Sequence, residues 1–112
     1  MGEVIPLWNP LAPYGWEPIE ATFDKCGIPN HMRESIIRYC TEGTNPGHFL
    51  SAVINNDLVK AVQLADLSNR KLLANYVTWF FNYAPAGCWG KPNSTETWAL
   101  ECKVGITALK DD

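Results

Sequence analysis

Residues 69–83 read NRKLLANYVTWFFNY, and the way this stretch folds decides the architecture. Wound as a helix, it spreads Leu72, Leu73, Tyr76, Val77, Trp79, Phe80, Phe81 and Tyr83 over about 220° of arc, where a surface helix usually carries an apolar stripe of roughly 100° or somewhat more. A helix this apolar needs more than one neighbour. Either it runs through the middle of the fold, or one flank is left for another chain or a ligand. Six of the thirteen aromatic residues lie between Tyr76 and Trp89, so this segment and the loop after it govern where the large apolar side chains go.

Upstream, helix signals follow one another. Asn30 after Pro29 is expected to cap a helix running to about Glu42 and stopped by Gly43, a residue suited to the left-handed turn at a helix end. Pro46 opens a short helix with Phe49, Leu50, Val53 and Ile54 at helical spacing, and the Asn55-Asn56 doublet interrupts it. Asp57 is placed to cap a segment in which Leu58, Val59, Val62 and Ala65 share a face, and Ser68 or Asn69 to start the aromatic helix. Downstream, Pro85, Gly87 and Gly90 mark a loop, and Asn93 with Glu96 resembles a capping box before a last helix containing Trp98, Ala99 and Cys102. From Val104 the tail is expected as a short strand or irregular chain.

Residues 1–24 differ. Pro6, Pro10, Pro13 and Pro18 interleave with Trp8, Tyr14 and Trp16, too much proline for a helix and no clean strand alternation. This reads as an extended Pro/aromatic arm, wrapped on its own domain or reaching a partner. Residues 25–112 then form a single helical domain. With no βαβ alternation and no run of evenly spaced strands, the expectation is all-α: a compact bundle of four or five short helices around the central aromatic helix. A chain of 112 residues buries about two thirds of its unfolded surface, enough for a core without metal or disulfide support.

Charge narrows the partners. The net charge is −3, and residues 25–74, the most basic part, hold six Lys/Arg against four acids. That makes no basic stripe for a nucleic-acid backbone, so direct nucleic-acid binding is not expected. No basic start followed by an apolar run and no stretch of ~18 apolar residues is present, so neither signal peptide nor membrane span is expected. Cys26, Cys40, Cys88 and Cys102 form no C-x-x-C, and they read as reduced structural thiols; Cys88, between Gly87 and Trp89 in a loop, is the one with scope for reactivity. No metal or cofactor is implied. Without a Gly-x-Ser-x-Gly elbow, phosphate loop, dinucleotide fingerprint or paired-carboxylate motif, the chain is not expected to be an enzyme.

Three binding candidates stand out beside Trp8 and Trp16 of the arm. Arg33 falls inside the apolar arc of Met32, Ile36, Ile37, Tyr39 and Cys40, and a guanidinium there needs carboxylate, carbonyl or phosphate partners. It reads either as an internal salt bridge, to Asp57 or Asp66, or as an anion site. Trp89 beside Gly90 offers a flat ring for stacking or insertion, or folds back as a lid on the core; Tyr83 is a second stacking group. The broad arc of residues 69–83 and the arm's aromatics together imply a homo-oligomer, most simply a dimer.

The run IPNHMRESIIRYCTEGTNPGHFLSAVINNDLVKAVQLAD (28–66), with FNYAPAGCWGKP (81–92), resembles a group of small proteins of tailed bacteriophages and prophages. The resemblance spans about residues 28–92 and brings context more than mechanism. It implies an accessory protein acting in the host cytoplasm. The expectation is an inhibitor that binds a host defence protein or complex, as anti-CRISPR proteins do. The alternative is a small-molecule binder that sequesters a nucleotide immune signal, with Arg33 and either Trp89 or Tyr83 holding it.

Overall fold

The structure, a computed structural model, describes residues 18–85 and 87–110, with side chains up to 103. Seven helices and no strand lie among these residues: α1 (Ile19–Cys26), α2 (Asn30–Glu42), α3 (His48–Ile54), α4 (Leu58–Leu64), α5 (Leu67–Lys71), α6 (Leu73–Tyr83) and α7 (Ser94–Lys110). The all-α bundle is as the sequence predicts, with more helices than the four or five expected.

The aromatic segment is the pivot, but it is not one helix. Asp66, not Ser68 or Asn69, starts it: its carboxylate accepts from the Asn69 N–H at 2.7 Å and caps α5. At Leu72 the backbone drifts to φ −100°, ψ 7°, and the Leu72 N–H is shared between the carbonyls of Ser68 and Asn69. Tyr76 donates its hydroxyl to the buried Asn69 side chain across this break at 2.8 Å, which fixes the angle between α5 and α6. α6 then buries Tyr76, Trp79 and Phe80 completely and leaves Phe81 75% and Val77 39% exposed. Leu72, Leu73 and Tyr83 pack partly buried against the core, so six of the eight arc residues serve the fold and two, Val77 and Phe81, face outward.

Residues 19–24, read as the end of the arm, form most of α1 instead. Pro18 sits at the cap, where its missing N–H costs nothing, and Gly27 at φ 70° ends the helix. α1 lies on α6 through polar and apolar clamps. Phe23 stacks on Trp79 at 4.8 Å, the Trp79 indole donates to Thr22 at 3.0 Å, and Asn75 donates to the Cys26 carbonyl at 2.9 Å. Residues 1–17 lie outside the described residues.

α2 packs on α7. Asn30 is the first helical residue and Pro29 holds the cap position, without a side-chain cap bond. Gly43 ends α2 as expected at φ 75°, and here glycine is required twice over: a Cβ would come within 2.7 Å of the Ala99 backbone. Trp98 donates its indole N–H to the last-turn carbonyls of Tyr39 and Cys40, at 3.0 and 3.2 Å. The proposed Asn93–Glu96 box does not open α7. Asn93 takes a left-handed φ of 63°, and Asn55, from the end of α3, accepts from the Thr95 N–H at 2.9 Å. That cap comes from 40 residues away, so no local pattern announces it. The tail from Val104 continues α7 as helix to Lys110, neither strand nor irregular chain.

Candidate interaction surface

Two turns set the surface beside α6. After α3, Asn56 adopts φ 59° and the Asp57 N–H returns to the Ala52 carbonyl at 2.9 Å. Asp57 then caps α4 by accepting from the Lys60 N–H at 3.1 Å, as the sequence predicts. The second turn, residues 87–90, is pinned to the end of α3 by the Gly90 N–H, which donates to the Ile54 carbonyl at 2.7 Å. From the other side the Tyr39 hydroxyl donates to the Cys88 carbonyl at 2.6 Å.

These restraints lay Trp89 against Phe80, ring centroids 6.0 Å apart, half-buried at one end of a groove between α4 and α6. Ala52, Val53 and Ala61 form part of its lining, Leu58 stands on the α4 side, and Leu73 and Val77 on the α6 side. Asn56 and Asp57 supply its polar edge. The groove is half open and its volume is about 70 Å³, room for one apolar side chain and far below the 300–1,000 Å³ of small-molecule pockets. Beyond Leu58, a wider open cleft of about 580 Å³ runs over Asn55–Lys60, Pro92 and Asn93, with Lys60 the one cation in its lining.

The sequence reading put Leu58, Val59, Val62 and Ala65 on one face of this segment. Of these Ala65 is buried, as is Ala61, while Leu58 and Val59 are 65% and 69% exposed. α4 is only two turns long, and the small alanines let it sit close on α3, which lifts its first-turn side chains clear of the core. Keeping a Leu or Val in water forgoes roughly 1.5–3 kcal/mol per side chain relative to full burial. Exposed apolar residues matter when they are contiguous, and Leu58, Val77 and Trp89 line the same groove. Leu58 and Val59 were not singled out beforehand; the short spacing between the Asp57 cap and the next cap at Asp66 is the signal that α4 is too brief to bury both flanks.

Arg33 has its partners inside the chain, though neither is Asp57 or Asp66. Its Nε donates to the Ile28 carbonyl, and its two terminal nitrogens pair with Glu20 and Asp24 of α1, all three at 2.9 Å. The guanidinium also lies 5.5 Å from the centre of the Phe23 ring. Burial opposes its charge, and the hydrogen bonds and charges of Glu20 and Asp24 more than offset this, so its pKa is raised. It buckles α2 to α1, and it does not line the Trp89 groove.

Tyr83 is half-buried against the core and does not line the groove either. Trp8 and Trp16 lie outside the described residues. Cys88 is fully buried despite its loop position, so its thiol is no surface nucleophile. Cys40 and Cys102 are buried as expected, and burial pushes both thiols up, Cys102 to about 11. Among the described residues no three His, Cys, Asp or Glu side chains gather as a metal site, and no helix is long and apolar enough to cross a membrane. No protein-family model matches the chain, and neither a curated protein nor a solved structure matches it.

Proposed function

We propose that this protein acts by binding another protein, and that the groove between α4 and α6 receives an apolar side chain of that partner. The observation that carries the reading is the groove itself: Leu58 two-thirds exposed, Trp89 half-buried, and a half-open space of about 70 Å³ that both line. Large aromatics beside a small apolar pocket are the usual anchors of protein interfaces. With the resemblance of residues 28–92 to phage proteins as context, the partner we propose is a component of a host defence complex and the outcome inhibition. Sequestration of a nucleotide signal finds less support, because Arg33 is occupied by Glu20 and Asp24 and stands apart from Trp89.

Native mass spectrometry of the protein recovered from infected cells tests this. A co-purifying protein lost with Leu58→Asp or Trp89→Ala, while both variants keep the wild-type circular dichroism spectrum, supports the groove. A bound nucleotide, or a protein partner retained by both folded variants, rejects it.

A further inference from the structure

Three of the four cysteines meet in the interior. Cys40, Cys88 and Cys102 are each 1% exposed or less, and they come from three places: the last turn of α2, the loop before α7, and α7 itself. The Tyr39 hydroxyl holds the Cys88 carbonyl at 2.6 Å, and the Trp98 indole holds the Cys40 carbonyl at 3.2 Å, so loop and α7 are both tied to the end of α2. Cys102 follows Trp98 by one helical turn, and the two buried side chains share the face of α7 that meets α2.

Within the cluster the thiols are not equivalent. Cys40 has the Cys88 thiol within hydrogen-bonding reach, whereas Cys102 acts on Cys40, and Cys88 on Cys102, through charge alone. Freedom to move differs too. Cys40 and Cys102 ride on helices whose approach is set where Gly43 abuts Ala99, a Cβ there coming within 2.7 Å of the Ala99 backbone. Cys88 rides on a short loop between Gly87 and Gly90.

We propose that Cys40 and Cys88 are a reversible dithiol that closes to a disulfide under a hydroperoxide and then ties the Trp89 loop to α2. The Cys88 sulfur, as thiolate, attacks the peroxide: an S–O bond forms, the O–O bond breaks, and the departing hydroxide takes up a proton to leave as water. The Cys40 sulfur, giving up its proton, then displaces the hydroxyl of the sulfenic acid; the S–S bond forms, the S–O bond breaks and a second water leaves. Two thiols lose two electrons, and one peroxide is reduced to two waters. Burial raises the Cys40 thiol, which makes it the second sulfur to react and keeps closure slow until oxidant is abundant. The sulfurs must draw in to the ~2.05 Å of a disulfide, and the loop supplies the movement. Trp89 follows Cys88 in the chain and packs on Phe80 with 6.0 Å between ring centroids, so the movement reaches the end of the groove. Its effect on binding rests on the groove acting as proposed above; the disulfide itself does not.

The test uses the full chain carrying Cys26→Ser, which removes the partly exposed thiol. Treated with hydrogen peroxide, quenched in acid and weighed intact, it should lose the mass of two hydrogen atoms and regain it in dithiothreitol. Cys102→Ala in this background should close as fully, while Cys40→Ala and Cys88→Ala should not close. Should an alanine variant fail to fold, fragmentation of the parent's cross-linked peptides places the bond on Cys88 or on Cys102. In protein labelled with 5-fluorotryptophan, the Trp89 resonance, identified by Trp89→Phe, should shift on oxidation and return on reduction. Overturning results are no loss of mass, oxygen gained in place of hydrogen lost, a bond to Cys102, or a Trp89 resonance unmoved by a Cys40–Cys88 bond. All these measurements are made on the isolated protein, so they stand or fall separately from the search for a partner.

Discussion

Replacing Arg33 should cost stability by an amount set by its least exposed contacts. The guanidinium is 13% exposed, whereas Glu20 and Asp24 are 63% and 71% exposed. Solvent screening limits each ion pair to about 0–1 kcal/mol. The bond from Nε to the part-buried Ile28 carbonyl is a charged hydrogen bond of roughly 1.5–3 kcal/mol, and the contact with the Phe23 ring adds about 0.5–1 kcal/mol. These do not add fully. Arg33→Met, which keeps the stem, should lose about 2–3 kcal/mol, and Arg33→Lys, which keeps the charge but not the planar fork, about 1–2 kcal/mol. At about 4 °C per kcal/mol for a domain near this size, Tm falls by ~8–12 °C and ~4–8 °C. Melting curves in 0.1 and 1 M salt separate the contributions, since a screening length of about 3 Å at 1 M erases the surface pairs and spares the Ile28 and Phe23 contacts. The gap between wild type and Arg33→Met should therefore persist in 1 M salt. A gap below 2 °C at low salt, or one that closes at high salt, would refute the reasoning.

Tyr39→Phe removes a hydroxyl that reaches the Cys88 and Ser94 carbonyls, at 2.6 and 3.2 Å, and the buried Cys88 carbonyl left behind should cost about 1–3 kcal/mol in urea unfolding. Gly43→Ala should destabilise by more than Gly47→Ala, because both have positive φ but only at Gly43 does the new Cβ strike backbone; equal losses would mean that the α2–α7 contact relaxes freely. Alkali should weaken the fold early. Burial lifts Cys102 to about 11 and Tyr76 to about 12, the latter helped by Asp66, while the unfolded groups titrate near 8.5 and 10. Raised acids hold their stabilisation below the unfolded pKa and lose it as pH climbs to the folded one. The urea midpoint should be flat from pH 6 to 8 and fall by the equivalent of about 3 kcal/mol by pH 10.5; an unchanged midpoint at pH 10.5 contradicts these burials.

Local chemistry made α2, α3 and the Asp57 cap of α4 legible, because each depends on residues within one helical turn. Gly43 and the Asn55-Asn56 interruption were legible for the same reason. What could not be read was set by contacts far along the chain. The start of α7 is held by Asn55 and α1 by its stacking on Trp79, while the break at Leu72 turns on the buried bond from Tyr76 to Asn69 two turns earlier. Proline density in residues 1–18 masked α1, whose first residue follows a Pro cap that favours helix initiation. At the candidate surface, Trp89 was visible from its loop, but Leu58 and Val59 look like core in any wheel; only the brevity of α4 and the alanines beneath it put them outside. Arg33 was legible as a residue needing partners and illegible as to which, since Glu20 and Asp24 sat in a segment read as extended.

The distribution of polar clamps divides the molecule's residues by role. On the side of α1, α2 and α7, large groups are tied by specific bonds: Trp79 to Thr22, Asn75 to Cys26, Arg33 to Ile28, Trp98 to the end of α2, and Tyr39 to the loop. Each bond adds direction to the packing, and losing it leaves a buried group unsatisfied, so substitutions there act on stability. Across α6 the groove and the outer face hold Leu58, Val77 and Phe81 without burying them. Truncating these side chains removes little folded-state packing, so their substitution should leave Tm within a few degrees and, at Leu58 and Val77, weaken partner binding. One helix thus serves both halves: Tyr76, Trp79 and Phe80 anchor it, and that anchoring fixes the backbone beneath Val77 and Phe81. A partner that met Leu58 or Val77 would find the backbone beneath each already fixed by the core, and that part of the ordering cost would not have to be met on docking.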